Sequence, residues 1–108
     1  MPDPRPLSLA TVRVLTAIAG GARHGFDIMD AAALASGTVY PILARLEKAG
    51  LVRGRWEAPS TAQRDKRPPR RYYEITGAGD KALSRSVEYY RTLGGIAGGV
   101  AFPRPSRG

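Results

Sequence analysis

The chain contains no cysteine, which excludes disulfides and thiolate metal sites. It has one histidine, His24, too few for a histidine-built metal centre, and a Ser-His-Asp triad would have to rest on that single ring. No run approaches the roughly 18 continuous apolar residues of a membrane-spanning helix, so no membrane partner is expected. The opening residues Met1-Pro2-Asp3-Pro4-Arg5-Pro6 lack the apolar centre of a signal peptide, which points to the cytoplasm. Gly20-Gly21 is followed by no Gly-Lys-Ser/Thr and reads as a helix stop rather than a phosphate loop. Asp27 and Asp30 share a helix face, but no metal-binding companion accompanies them. No catalytic residue, metal or cofactor is assigned, and an enzyme is not expected.

Acids are also in short supply. Lys and Arg number 17 against 9 Asp and Glu, giving a net charge of +8 and a pI near 10.6. That balance favours a polyanionic partner without choosing among DNA, RNA and an anionic membrane. At 108 residues the chain is one domain with a short appendage. So small a core would gain from burial against a second copy.

The hydrophobic pattern divides the chain further. Residues 1–6 read as a flexible arm, since alternating prolines disfavour helix. Ser8 is a candidate cap for a first helix over Leu9–Ala19, with Leu9, Val12, Leu15 and Ile18 as its stripe. A second helix over residues 25–33 sets Phe26, Met29 and Ala33 on one face. After a turn, a third helix over residues 38–49 turns Val39, Ile42, Leu43 and Leu46 inward; Thr38, Tyr40, Pro41, Ala44, Arg45 and Lys48 lie off that stripe. Pro41 is tolerated in a first turn, so this helix is expected to begin near Gly37. Gly50 fits the left-handed position just past its end. Strands over residues 51–57 and 71–76 enclose a polar loop with three prolines, expected to stay out of the core. Thr76 caps a fourth helix over residues 78–93, with Leu83, Val87, Tyr90 and Leu93 as its stripe. Glycines and prolines predict a flexible tail over residues 94–108.

The motifs His24-Gly25-Phe26-Asp27-Ile28, Ser36-Gly37-Thr38-Val39-Tyr40-Pro41, Leu46-Glu47, Gly50-Leu51-Val52, Trp56-Glu57 and Arg71-Tyr72-Tyr73-Glu74-Ile75-Thr76 stand in a distinctive order and spacing. Together they resemble the PadR family of bacterial transcriptional regulators, over roughly residues 7–93. The resemblance implies a mainly α fold: a winged helix-turn-helix of three helices plus a two-stranded wing over residues 7–76, then a C-terminal dimerisation helix over residues 77–93. It implies a homodimer, here with Leu83, Val87, Tyr90 and Leu93 at the seam. It also implies a repressor, often relieved by a small molecule. Ala44 departs from the basic residue that family members often carry. The chain ends soon after one helix, so an effector is expected at the dimer interface.

In a winged helix the third helix enters the major groove and the wing grips the flanking backbone. Ser36, Gly37, Thr38, Tyr40 and Pro41 at its start, with Arg45 further along, are the candidate DNA contacts. Thr38 as a mere cap and Tyr40 as a packing residue are the alternatives. In the wing, Lys66, Arg67, Arg70 and Arg71 concentrate positive charge beside that helix, although such a run can also be a solvated loop. Trp56 is expected to pack under the hairpin with Tyr73; stacking on a flat aromatic effector, with Tyr89 as a second contact, is the alternative. His24 is expected to start the second helix with a local hydrogen bond. The expected function is sequence-specific binding of double-stranded DNA by a homodimer on a pseudo-palindromic operator. The alternative is a protein-interaction module that turns the same basic face to an acidic partner.

Overall fold

The computed structural model describes residues 6–97, with side chains through Gly94. In chain order the elements are α1 (Leu9–Ala19), α2 (Gly25–Ala32), α3 (Ser36–Lys48), β1 (Val52–Trp56), α4 (Pro59–Arg64), β2 (Arg71–Ile75) and α5 (Gly77–Ala97). Ser8 caps α1, its Oγ accepting from the Thr11 amide at 3.2 Å. α1 lies at the centre of the fold and touches α2, α3, α5 and β2. Being covered on several sides, it buries Val14 and Ala17 as well as Val12, Leu15 and Ile18. A single stripe is therefore too narrow a description of it, and Leu9, at its exposed start, is not core.

α2 stops one residue short of the expected end. Ala33 enters the left-handed region at φ 55°, ψ 49°, a conformation that costs an L-residue about 1–2 kcal/mol. The Leu34 amide then closes on the Met29 carbonyl at 3.1 Å. α3 begins earlier than expected, because the Ala35 carbonyl already accepts from the Thr38 and Val39 amides, both at 3.0 Å. Pro41 consequently sits inside the helix rather than in its first turn. The carbonyl it cannot serve is that of Gly37, which is exposed at the helix start and open to water. Val39, Ile42, Leu43 and Leu46 are all buried. At the other end Gly50 takes φ 76° and the Leu51 amide returns to the Leu46 carbonyl at 2.9 Å, the glycine stop that the sequence suggests.

β1 and β2 pair antiparallel, with Val52 opposite Ile75, Gly54 opposite Tyr73 and Trp56 opposite Arg71. The segment before α2 adds to the free edge of β2: the Tyr73 amide donates to the Arg23 carbonyl at 2.7 Å, and His24 bridges Tyr72. Between the strands the chain is not an open loop. Pro59 occupies the first turn of α4, where its fixed φ suits a helix start, and Ala62 on that helix is buried. That burial corrects the expectation that the whole segment stays out of the core.

Thr76 starts α5. Its hydroxyl accepts from the Gly79 amide at 3.1 Å and donates to the Gly50 carbonyl at 2.7 Å. The helix runs past Leu93 to Ala97. Glycines at 94 and 95 cost about 1 kcal/mol each relative to alanine, too little to end a helix whose ladder is already formed. Leu83 and Val87 turn inward at 3% and 4% exposure and join the core cluster with α1. They are left with no surface for the dimer seam they were expected to form. Tyr90 packs against the same cluster, and its hydroxyl donates to the Leu7 carbonyl at 2.6 Å, while the Leu7 amide donates to Ser86 Oγ at 3.0 Å. Tyr89 and Leu93 remain exposed. The predicted arm at residues 1–5 and the tail from residue 98 lie outside the described residues. Among the described residues no helix is long and apolar enough to cross a membrane.

Candidate nucleic-acid interface

α3 presents one dry face and one wet face. Opposite its buried residues, Ser36, Gly37, Thr38, Tyr40, Pro41, Ala44, Arg45 and Lys48 are all exposed. Thr38 makes no side-chain cap, since the helix start carries no side-chain cap bond at all. Tyr40 leans over the start of α2: a Cβ on Gly25 would collide with the Tyr40 hydroxyl and lie 2.9 Å from its Cζ. Gly25 thus leaves room for the ring, while 48% of Tyr40 stays accessible. The helix face is fixed to the wing through Glu47, which pairs with Arg71 of β2.

The four candidate wing cations are not equivalent. Arg67 closes a two-pronged ion pair on Glu57, with Nη1–Oε1 at 2.6 Å and Nη2–Oε2 at 2.8 Å. Its guanidinium is committed to the fold, which removes it from the set available to a phosphate. Arg71 pairs with Glu47 and lies over the Trp56 ring, 5.3 Å from its centroid. Arg70 meets no carboxylate among the described residues; its guanidinium contacts His24 Nε2 at 3.5 Å. Lys66 is exposed at the end of α4, in the left-handed region at φ 54°.

Glu57 organises this region. Besides Arg67 it accepts from the Tyr72 hydroxyl at 2.9 Å and the Arg70 amide at 3.3 Å. The Arg67 fork, assisted by Tyr72 and the Arg70 amide against the opposing effect of burial, holds its carboxyl down to about 2, from an ordinary 4.5. A carboxyl depressed in the folded state stabilises the wing fully above pH 4.5 and loses that contribution as the pH falls toward 2. Fluorescence of the neighbouring Trp56 is therefore expected to show an acid transition in this window. Glu57→Gln should abolish its pH dependence and leave the wing looser at neutral pH.

Trp56 is 66% exposed, not packed beneath the hairpin. It shares a strand face with Val52, which is buried, but by Trp56 the strand has run beyond the core. Tyr73 by contrast is buried, and Arg71 lies between the two rings, 5.9 Å from the Tyr73 centroid. Trp56, Tyr40, Arg67, Arg70 and Arg71 all line one cleft between the start of α2, α3 and the base of the wing. Tyr89 does not line it; its ring stacks edge-on against Tyr90 on α5 at 5.3 Å. His24 starts α2 as expected and reaches Asp27 at 3.1 Å. Among the described residues no group of three or more His, Cys, Asp or Glu is placed to hold a metal ion. Glu47 and Glu57 are the positioning residues that sequence reasoning passes over. Their signal is faint: a lone acid at a helix end and another at a strand end, each facing an arginine-rich segment.

No curated protein matches the chain in sequence. Solved structures do resemble it. A PadR family transcription regulator from Clostridium difficile superposes with a TM-score of 0.72 at 18% identity, over 84% of this chain and 96% of that one. A PadR family transcriptional regulator from Eggerthella lenta gives 0.66 at 23% identity, over 81% and 77%. Bordetella bronchiseptica BpsR, whose DNA binding is regulated by 6-hydroxynicotinic acid, gives 0.69 at 20% identity, over 97% and 74%. At these identities the likeness shows the fold, a winged helix-turn-helix. The model of the PadR-like transcriptional regulator family matches residues 14–85, a span that takes in α3, the whole wing and the first turns of α5. The chain therefore belongs to the PadR-like family, whose members are DNA-binding transcriptional regulators and not enzymes.

Proposed function

We propose that the chain is a cytoplasmic repressor that binds a pseudo-palindromic operator as a homodimer. One observation carries this reading: α3 buries a continuous apolar face, leaves its opposite face from Ser36 to Lys48 exposed, and is tied to a cationic wing by the Glu47–Arg71 pair. In the dimer, two such helices enter successive major grooves about 34 Å apart. Ser36, Gly37, Thr38, Tyr40, Pro41 and Arg45 face the groove, and Lys66 and Arg70 contact flanking phosphates. Arg67 and Arg71 are left out because Glu57 and Glu47 hold them. Tyr89 and Leu93 lie one helical turn apart on α5 and supply exposed apolar surface for a second copy to cover. Repression needs no catalytic group, since an occupied operator excludes polymerase. Relief by a small aromatic molecule is supported by the likeness to BpsR.

The test is fluorescence anisotropy with the duplex upstream of the chain's own gene against a scrambled duplex at about 150 mM salt, where non-specific binding is weak. Preference of about a hundredfold for the native duplex is expected, well within the usual span between specific and non-specific sites. No binding to either duplex would move the basic face to an acidic protein partner. Tyr40 provides a finer check. Tyr40→Ala should cost about tenfold on the native duplex and much less on the scrambled one, the value of one hydrogen bond to the duplex. Gly25→Ala should reproduce part of that loss by displacing the ring, with little change in melting temperature.

A further inference from the structure

We propose that Glu47 is an internal stand-in for a phosphate: by occupying Arg71 it limits how tightly the chain holds duplex of any sequence. This role rests on the proposed binding of duplex and deepens it at one arginine. A carboxylate and a phosphate offer a guanidinium the same pair of anionic oxygens, so an arginine that holds one is lost to the other. Arg71 is placed for either. It lines the same cleft as Tyr40 and Arg70, both proposed duplex contacts, and it pairs with Glu47 at the end of α3.

The two arginine–carboxylate pairs of the wing differ in kind. The Glu57 side chain is 5% exposed and accepts from Arg67, the Tyr72 hydroxyl and the Arg70 amide together. Breaking that pair strands a buried charge. The Glu47 side chain is 34% exposed and that of Arg71 27%, and Arg71 is the one partner of the Glu47 carboxylate among the described residues. A pair so open to water adds little stability. Its larger consequence is to withhold a cation that the net charge of +8 includes.

Gly54 makes the seat for this pair. It stands opposite Tyr73 on the strand pair, and a Cβ there would lie 2.7 Å from Arg71 Nη2 and 2.9 Å from Glu47 Oε1. Gly54 is not among the glycines with positive φ, so it supplies room rather than a turn. The Trp56 ring holds the Arg71 guanidinium independently, 5.3 Å from its centroid. Loss of Glu47 therefore leaves the cation at the cleft.

Anisotropy titrations of the full chain against native and scrambled duplex, over a range of salt concentrations, test this role. Glu47→Gln keeps the side chain's size and removes its charge. Affinity for both duplexes should rise by about tenfold at 150 mM salt, and the slope of log affinity against log salt should steepen by about 2 per dimer, one phosphate gained per subunit. The preference for the native duplex should hold, because a phosphate contact carries no sequence information. Gly54→Ala dislodges the pair at constant net charge and should also steepen the slope. Glu88→Gln makes the same charge change at an exposed site on α5 and should leave the slope alone. Glu47→Gln combined with Arg71→Gln should return both affinity and slope to those of the unsubstituted chain.

An unchanged slope in Glu47→Gln or Gly54→Ala, an equal steepening in Glu88→Gln, or a gain that survives in the double variant would overturn the proposal. A fall of more than about 5 °C in the melting temperature of Glu47→Gln would overturn it too, making the pair a structural tie, since an open pair is worth less than that. In each of these cases the unsubstituted chain still binds duplex, and the DNA reading stands. Absence of duplex binding by the unsubstituted chain would overturn that reading and this role together.

Discussion

Gly79→Ala is expected to lower the melting temperature by more than about 10 °C. Gly79 is buried in the first turn of α5, with its amide on the Thr76 hydroxyl. A Cβ there would overlap the Leu51 carbonyl oxygen and lie 2.7 Å from Ile75 Cγ1. The first obstacle is backbone, at the junction of α3 and β1, and cannot rotate away. Relief requires α5 to lift from the strand pair or the Leu51 turn to shift. Overpacking of this kind costs about 3 kcal/mol or more, and each kcal/mol is worth about 4–8 °C in a domain of this size. Gly77→Ala is the control: a Cβ there meets nothing within 4 Å, so its melting temperature should hold or rise slightly. Thermal unfolding of the two variants by circular dichroism decides the matter, and equal melting temperatures would show that the Leu51 turn yields freely.

Duplex affinity is expected to fall by about a thousandfold between 50 and 200 mM salt, as for a dimer that neutralises roughly six to ten phosphates. The structure narrows which cations carry this dependence. Lys66 and Arg70 have no carboxylate partner among the described residues, and Arg45 and Lys48 stand exposed on α3. Arg67 and Arg71 already hold Glu57 and Glu47. Arg70→Gln should therefore reduce the slope of log affinity against log salt by about 2 per dimer, because each subunit then neutralises one phosphate fewer. A slope near zero in the unsubstituted chain would rule out backbone neutralisation as the source of affinity and, with it, the duplex reading.

How much is legible in the sequence differs from element to element. Ser8, the Gly20-Gly21 stop and the Gly50 stop mark helix ends by chemistry that acts within a few residues, and each holds in the structure. The two faces of α3 follow from a helical repeat, and the structure keeps both. The pattern of α5 is equally real, yet Leu83 and Val87 have a different cover from the one it suggests. A stripe says that a face is buried, not whether the chain's own α1 or a second copy buries it. Pro41 misleads by a residue about where α3 begins, because its cost depends on whether the stranded Gly37 carbonyl meets water, which is a matter of exposure.

The sequence by itself determined the order of every element but α4, the family and the basic helix-and-wing surface, because capping, periodicity and net charge are local or summed properties. Only the tertiary structure decided which arginine is free. Arg67, Arg70 and Arg71 sit within five positions of one another and look alike in the sequence. Glu57 reaches Arg67 from the end of the opposite strand, and Glu47 reaches Arg71 from the end of α3. The edge pairing of Arg23 with Tyr73, the exposure of Trp56 and the cleft beside it arise in the same way. Ion pairing and burial depend on distances across the fold, and those distances are set when the chain closes on itself.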